Sequence, residues 1–382
     1  MRIMYWGGFW PNVGGVETHT MRLLPALKAI GHDCHVVAPH RGLDLPDEAT
    51  YQGIPVHRFP FLTALASRDV GLVARLRQAV AALKREVQPD LVHLYLNDPT
   101  YYFHLLTASA HPVATVVTIN QEYRTCDAQQ ETLLGRTLRS ADWVTAISNA
   151  LLADTLALMP DLASRSSLIY LGLDPPALPP TPLPFAPARL LCIGRLVPDK
   201  GFDLAIDALP GVLARYPETR LVVASDGPER SALEQQVKRM GLAHAVEFTG
   251  WVEADRLPAL YNSATAVVVP SRWREGFGLV ALEASLMARP VVATSKGGLT
   301  EIVAHEETGL LVEGESPKAL ADALLSLLAD RERAVRMGQA ARSRAITLFP
   351  FRHTVEAYDA LYQRLGLWQN CAPRQAPPQM RS

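Results

Sequence analysis

The 382 residues exceed what one ordinary hydrophobic core holds and suit two domains of typical size. With 48% hydrophobic and 20% charged residues and a formal net charge of -1, the composition excludes a disordered chain and a strongly nucleic-acid-seeking one. Cys34, Cys126, Cys192 and Cys371 are scattered without a C-x-x-C pair, which predicts reduced thiols, and no apolar run approaches the roughly 20 residues needed to span a bilayer.

The opening run MRIMYW shows no signal-peptide pattern, so a cytoplasmic location is expected. GGFWPNVGG follows, and Val16, Leu23, Leu24, Leu27 and Ile30 then recur at helical spacing until Gly31. With CHVVAP these residues form one strand, glycine loop, helix, strand unit of a doubly wound parallel sheet. The alternation continues through DLVHLYL, ATVVTIN and WVTAIS. The segment DPPALPPTPLPFAP denies helix and central strand alike and predicts an extended connector. Beyond it RLLCIG, RLVVAS, AVEFTG, TAVVVP and PVVAT restart the rhythm. The expected organisation is therefore a domain over 1–173, a linker over 174–187, a second domain over 188–350, a helix over 351–366 returning to the first domain, and a tail over 367–382.

In PSRWREGFGLVALEASLMARP, Glu275 and Glu283 bracket Gly276, Phe277 and Gly278 at a helix start, where free amides and the helix dipole favour anions. Glu283 sits in an apolar helix and needs strong hydrogen-bond donors, such as ribose hydroxyls. Pairing with Arg289 or a distant arginine is the alternative. IGRLVPDKGF places Arg195 past a strand and Lys200 beside Gly201 at the next helix start, a cation pair suited to a diphosphate, although two solvated loop charges are the commoner fate.

G-R-x4-K-G followed by E-x7-E resembles the GT4 family of retaining glycosyltransferases, and the similarity runs from Met1 to about Gly366. The resemblance implies the GT-B fold, two Rossmann-like doubly wound domains facing each other across a cleft that closes on a nucleotide-sugar. It implies that Arg195 and Lys200 hold the donor diphosphate, that Glu283 holds the ribose and that Glu275 contacts sugar hydroxyls. The amides of Phe277, Gly278 and Leu279 would lie against sugar or phosphate, Trp251 and Val252 would border the base, and Gly14 and Gly15 would approach the phosphates. Plain packing for Trp251 and a ligand-free turn for Gly14 and Gly15 are the bland alternatives. SDGPER, with Asp226 capping the next helix, and KGGLTE, with Gly297, Gly298 and Glu301, are read as structural turns.

One departure stands out. Where the family commonly ends a strand with a histidine facing acceptor and donor sugar, VVTINQEY has Asn120, which hydrogen-bonds a hydroxyl but cannot act as a base. His93 in DLVHLYL is a candidate substitute, against the usual reading of a core histidine. The chain contains no D-x-D, so no metal is expected: Arg195, Lys200 and helix N-termini would stabilise the departing phosphate. The expected activity is retaining hexosyl transfer to a glycan, lipid-linked or small-molecule acceptor, with no nucleic acid as partner. A non-catalytic nucleotide-sugar-binding subunit and a sugar-nucleotide epimerase are the rivals. Arg68, Arg75, Arg77, Lys84 and Arg85 form a local basic run that suggests weak peripheral membrane contact, or else one solvated helix face.

Overall fold

The structure is a computed structural model that describes residues 1–11, 14–96, 98–123, 129 and 131–371, the last four through their backbone only. Cys126 and the tail beyond 371 lie outside the described residues. The chain forms two compact units, Met1–Tyr170 with the chain from Arg352 onward, and Leu171–Phe351.

The first unit holds an eight-stranded sheet of β1 (Arg2–Trp6), β2 (Asp33–Pro39), β3 (Glu48–Tyr51), β4 (Ile54–Phe59), β5 (Leu91–Tyr95), β6 (Ala114–Ile119), β7 (Trp143–Ala146) and β8 (Ser166–Leu168). Their order is β3-β4-β2-β1-β5-β6-β7-β8, parallel except for the antiparallel pair β3–β4. Strands β5, β6 and β7 are buried along their whole length, which is why they read as unbroken apolar runs. Helix Gly15–Ala29 buries Leu23, Leu24 and Leu27 as the spacing predicts, whereas Ile30 lies beyond its end and is exposed.

Helix Val70–Val87 exposes Arg75, Arg77 and Arg85 but buries Lys84, so the basic run is not a single solvated face. The Lys84 ammonium lies 3.2 Å from His104 Nδ1, and burial lowers its pKa to about 7. Helix Phe351–Cys371 continues five residues past the predicted stop, because Gly366 packs against Met1 inside the helix instead of ending it. Cys34 and Cys192 are buried free thiols, and burial pushes both up to about 12. Among the described residues no helix is long and apolar enough to cross a membrane.

The second unit holds six parallel strands, β9 (Arg189–Ile193), β10 (Arg220–Ala224), β11 (Val246–Gly250), β12 (Ala266–Val269), β13 (Val291–Thr294) and β14 (Gly309–Val312), in the order β11-β10-β9-β12-β13-β14. Its core joins Leu190 and Cys192 of β9 to Ile206, Leu209, Val268, Val292 and Leu324. The proline-rich stretch is not a free connector but a strap bonded to this unit. Thr181 N donates to Asn262 Oδ1 at 3.0 Å, and the fully buried Arg289 donates to the carbonyls of Thr181 and Ala264.

In both sheets the strand order reverses beside the first strand, between β1 and β5 in one unit and between β9 and β12 in the other. Ligands of such sheets bind outside the carboxyl ends of the strands at this switch point.

Candidate functional site

The loops after β9 and β12 flank the switch point of the second unit, and they bring together residues that lie far apart in sequence. The turn Pro198–Lys200 ends at Gly201, whose φ of 64° lies in the left-handed region and whose Cα faces the Pro270 carbonyl so closely that a Cβ would collide with it. This approach carries Lys200 to the β12 loop, where its Nζ meets Glu275 Oε1 at 2.6 Å. Ser271 Oγ donates to the same oxygen at 2.5 Å, while Oε2 takes no hydrogen bond among the described residues. The Glu275 carboxylate is thus fixed in direction with one oxygen left to accept.

Arg195 is exposed, and its guanidinium makes no hydrogen bond or ion pair among the described residues. Gly276, Phe277 and Gly278 lead into helix Leu279–Leu286, Phe277 itself being buried edge-on against Phe349 at 5.6 Å. The loop containing Gly297 and Gly298, read from sequence as a structural turn, packs on the Glu275 segment. Gly298 N donates to the Glu275 carbonyl at 2.8 Å, and a Cβ on Gly298 would fall 2.5 Å from Phe277 Cα.

Glu283 Oε2 accepts from the hydroxyl of Tyr261 at 2.7 Å; burial first, and the Glu283 charge second, raise the Tyr261 pKa well above its ordinary value. Arg289 is committed to backbone carbonyls, so the alternative pairing of Glu283 with it does not occur. Trp251 is 54% exposed and Val252 half-buried, which removes plain packing as an account of the indole. Asp226 does not cap the following helix; its Oδ1 accepts from Gly227 N at 2.7 Å.

In the first unit Gly14 precedes, and Gly15 begins, the helix after β1. A Cβ at Gly14 would strike Glu17 Oε2, and one at Gly8 would lie 2.6 Å from Glu17 Oε1. The carboxylate is held by Arg41 at 3.2 Å, which also pairs with Asp98 at 2.9 Å. A buried charge therefore accounts for glycine at Gly14 without a ligand, and this Glu17, Arg41, Asp98 cluster had no signature in sequence spacing.

Asn120 directly follows β6 and is buried. His93 is fully buried, with Nδ1 2.6 Å from the Tyr362 hydroxyl and Nε2 2.7 Å from Thr118 Oγ1, and burial lowers its pKa to about 3. It is a core residue and not a substitute base.

Residues 13–176 match the family described as Glycosyltransferase Family 4, and residues 181–344 match Glycosyl transferases group 1. A glycogen synthase of Mycobacterium tuberculosis is 30% identical over 95% of this chain and 94% of its own length. The chain belongs to the family 4 glycosyltransferases. A GDP-mannose-dependent alpha-(1-6)-phosphatidylinositol monomannoside mannosyltransferase of the same organism is 40% identical over 46% of this chain, the match spanning about half (51%) of that relative. A sucrose-phosphate synthase structure from Thermosynechococcus elongatus superposes with a TM-score of 0.81 at 24% identity, covering 96% of this chain and 99% of that one. The fold is GT-B.

Ser225 adopts φ 107°, in the left-handed region that favours glycine, while its amide donates to the Gly250 carbonyl at 2.7 Å. A side chain in that region is strained by roughly 1–3 kcal/mol, more than the roughly 0.5–1 kcal/mol a glycine adds in unfolded-state entropy. Ser225→Gly is expected to stabilise by about 1 kcal/mol, raising Tm by ~2–4 °C in calorimetry. An unchanged or lower Tm contradicts the strain.

Proposed function

We propose that this family 4 glycosyltransferase moves a hexose from a nucleoside-diphosphate sugar to an acceptor hydroxyl with retention of anomeric configuration and without a metal. The observation that carries this reading is the convergence of Lys200 and the Ser271-held Glu275 at the switch point of the second unit, with Arg195 in the same loop after β9 as Lys200. In this reading Arg195 and Lys200 take the diphosphate, Glu283 the ribose, and Glu275 Oε2 a hydroxyl of the sugar. The amides of Phe277, Gly278 and Leu279 face sugar or phosphate, and the exposed Trp251 borders the base.

The anomeric carbon–oxygen bond breaks with its electron pair passing to the phosphate oxygen, while the acceptor oxygen forms the new bond on the same face. The departing phosphate takes the acceptor proton, so no histidine base is needed, and the place of His93 in the core is no obstacle. Positive charge on Arg195 and Lys200 opposes the charge that develops on the phosphate. Asn120 is assigned to positioning of acceptor hydroxyls, by an amide that both donates and accepts. GDP-mannose and UDP-glucose are the first donors to screen by thermal stabilisation. The acceptor is a glycan, lipid-linked or small-molecule hydroxyl compound met in the cytoplasm.

With a donor in hand, transfer is expected to proceed undiminished in excess EDTA, read as initial rate. Complete loss of activity that manganese or magnesium restores would show that the cations do not replace a metal.

A further inference from the structure

We propose that Arg272 is the positioning residue of the donor site, holding the Lys200 turn and the Glu275 loop in one register so that the two side chains act as a unit. The proposal rests on the donor reading of the second unit given above.

Arg272 lies three residues before Glu275, just past β12. Its Nη1 and Nη2 donate to the two oxygens of Asp203 at 2.6 and 2.5 Å, Nε donates to Glu315 Oε2 at 3.0 Å, and Nη1 also reaches the Pro198 carbonyl at 3.2 Å. The backbone repeats the link: the amides of Arg272 and Trp273 both donate to the Asp199 carbonyl, at 2.8 and 3.2 Å. On the other side the Arg272 carbonyl accepts from Lys296 Nζ at 2.9 Å, and Lys296 pairs with Glu315 at 3.3 Å.

One guanidinium thus ties together the Pro198–Lys200 turn, the first turn of helix Phe202–Leu213, the segment after β14 and the strand-to-helix loop that carries Ser271 and Glu275. Lys200 itself has a flexible four-carbon stem, and its aim depends on where its turn is held. A planar fork that grips both oxygens of one carboxylate fixes direction as well as distance, which a point charge does not. With its nitrogens turned to Asp203, Glu315 and Pro198, Arg272 acts through Lys200 and Glu275 and does not itself reach a donor.

Burial alone would raise the Asp203 pKa, yet the bonds from Arg272 carry the carboxyl below its ordinary range, so the pair is ionised at neutral pH. The apolar anchoring of the same segments is supplied separately by the buried Leu196, Phe202 and Leu204, so loss of the clamp leaves the hydrophobic core intact.

A double-mutant cycle tests this, because a residue that merely supports the fold weakens binding without changing what Lys200 is worth. UDP, GDP and ADP are titrated calorimetrically into the full chain, and the tightest of them is carried through Lys200→Ala, Arg272→Met and the double variant. Lys200→Ala is expected to weaken binding at least tenfold in the parent background and less than threefold beside Arg272→Met. Arg272→Lys, which keeps charge without the fork, is expected to behave like Arg272→Met.

Equal factors for Lys200→Ala in the two backgrounds, or parental affinity for Arg272→Met, overturn the proposal. If Lys200→Ala leaves parental affinity unchanged, or none of the three nucleotides binds, the donor reading itself has failed, and that outcome is distinct from loss of coupling alone. Should Arg272→Met not fold, Asp203→Asn takes its place in the same cycle and the same outcomes decide. If neither variant folds, the clamp is a fold element and the positioning role is rejected.

Discussion

Lys200→Ala is expected to lower kcat/KM at least roughly tenfold, and Glu275→Gln is expected to separate binding from transfer. Hydrogen bonds to charged groups contribute about 1.5–3 kcal/mol, so loss of the ammonium from a diphosphate corresponds to roughly 10–150-fold. Without ligand, however, Lys200 is bound to Glu275 at 2.6 Å, and the two partners have different fates on substitution. Removing Lys200 takes away the cation and leaves the mostly buried Glu275 carboxylate with Ser271 as its donor. Replacing Glu275 by glutamine instead releases Lys200 from a competing anion. Affinity for the bare nucleoside diphosphate should then hold or rise, while transfer falls at least roughly tenfold through loss of a charged acceptor for the sugar hydroxyl. Calorimetric Kd and initial rates on the two variants read these signs directly. Weaker diphosphate binding in Glu275→Gln, or parental turnover in either variant, would remove the pair from the donor site.

Both sheets were legible because their central strands are buried on two faces and therefore appear as apolar runs, LVHLY and RLLCI among them. The β3–β4 hairpin was not, since it lies at an edge where burial alternates along β4, and its two-residue turn uses Gln52 and Gly53, both at positive φ, in place of the more telling Asn-Gly. Strand β8 has only three residues and no apolar run.

At the site, Lys200 and Glu275 were accessible to reading because each follows a strand and precedes a helix start. Ser271, Arg272 and Tyr261 were not, because their partners are chosen by the folded approach of distant segments and leave no periodic trace. Arg289 shows the limit of sequence proximity. Its nearness to Glu283 in sequence offered an ion pair as the alternative, but the strap carries a Thr181 carbonyl that needs a donor where prolines break regular pairing, and the buried guanidinium serves that one and the Ala264 carbonyl before β12. The glycine pair at Gly14 and Gly15 was legible as a close approach, while the intruding group, the Glu17 carboxylate, was not.

Acidification from pH 7 to pH 5 is expected to destabilise the first unit steeply, and His93→Gln is expected to blunt that response while leaving transfer per folded molecule intact. Burial lowers the pKa of both His19 and His93 to about 3, with Arg22 adding to the effect at His19; His104 is also driven well below its ordinary range by burial, and secondarily by Lys84. In the unfolded chain these rings titrate near 6.5, so between about pH 6.5 and pH 3 the unfolded state binds protons that the folded state refuses. The stability they confer is complete above about pH 6.5 and is lost as pH falls, by about 1.4 kcal/mol per pH unit for each ring. At pH 5 two such rings account for about 4 kcal/mol, a large share of the roughly 5–15 kcal/mol by which domains are stable. His93 is tied by hydrogen bonds to Thr118 and to Tyr362 of the C-terminal helix, and Thr118 Oγ1 continues to Tyr358 at 3.1 Å, so glutamine there should cost about 1–3 kcal/mol at pH 7. It also removes one titrating ring, so the slope of unfolding free energy against pH becomes shallower by one proton. Denaturant titrations at several pH values, paired with rates normalised to folded protein, separate the two roles. A His93→Gln variant of parental stability whose transfer has nearly vanished would return His93 to the chemistry; lower stability with unchanged normalised rate confines it to the core.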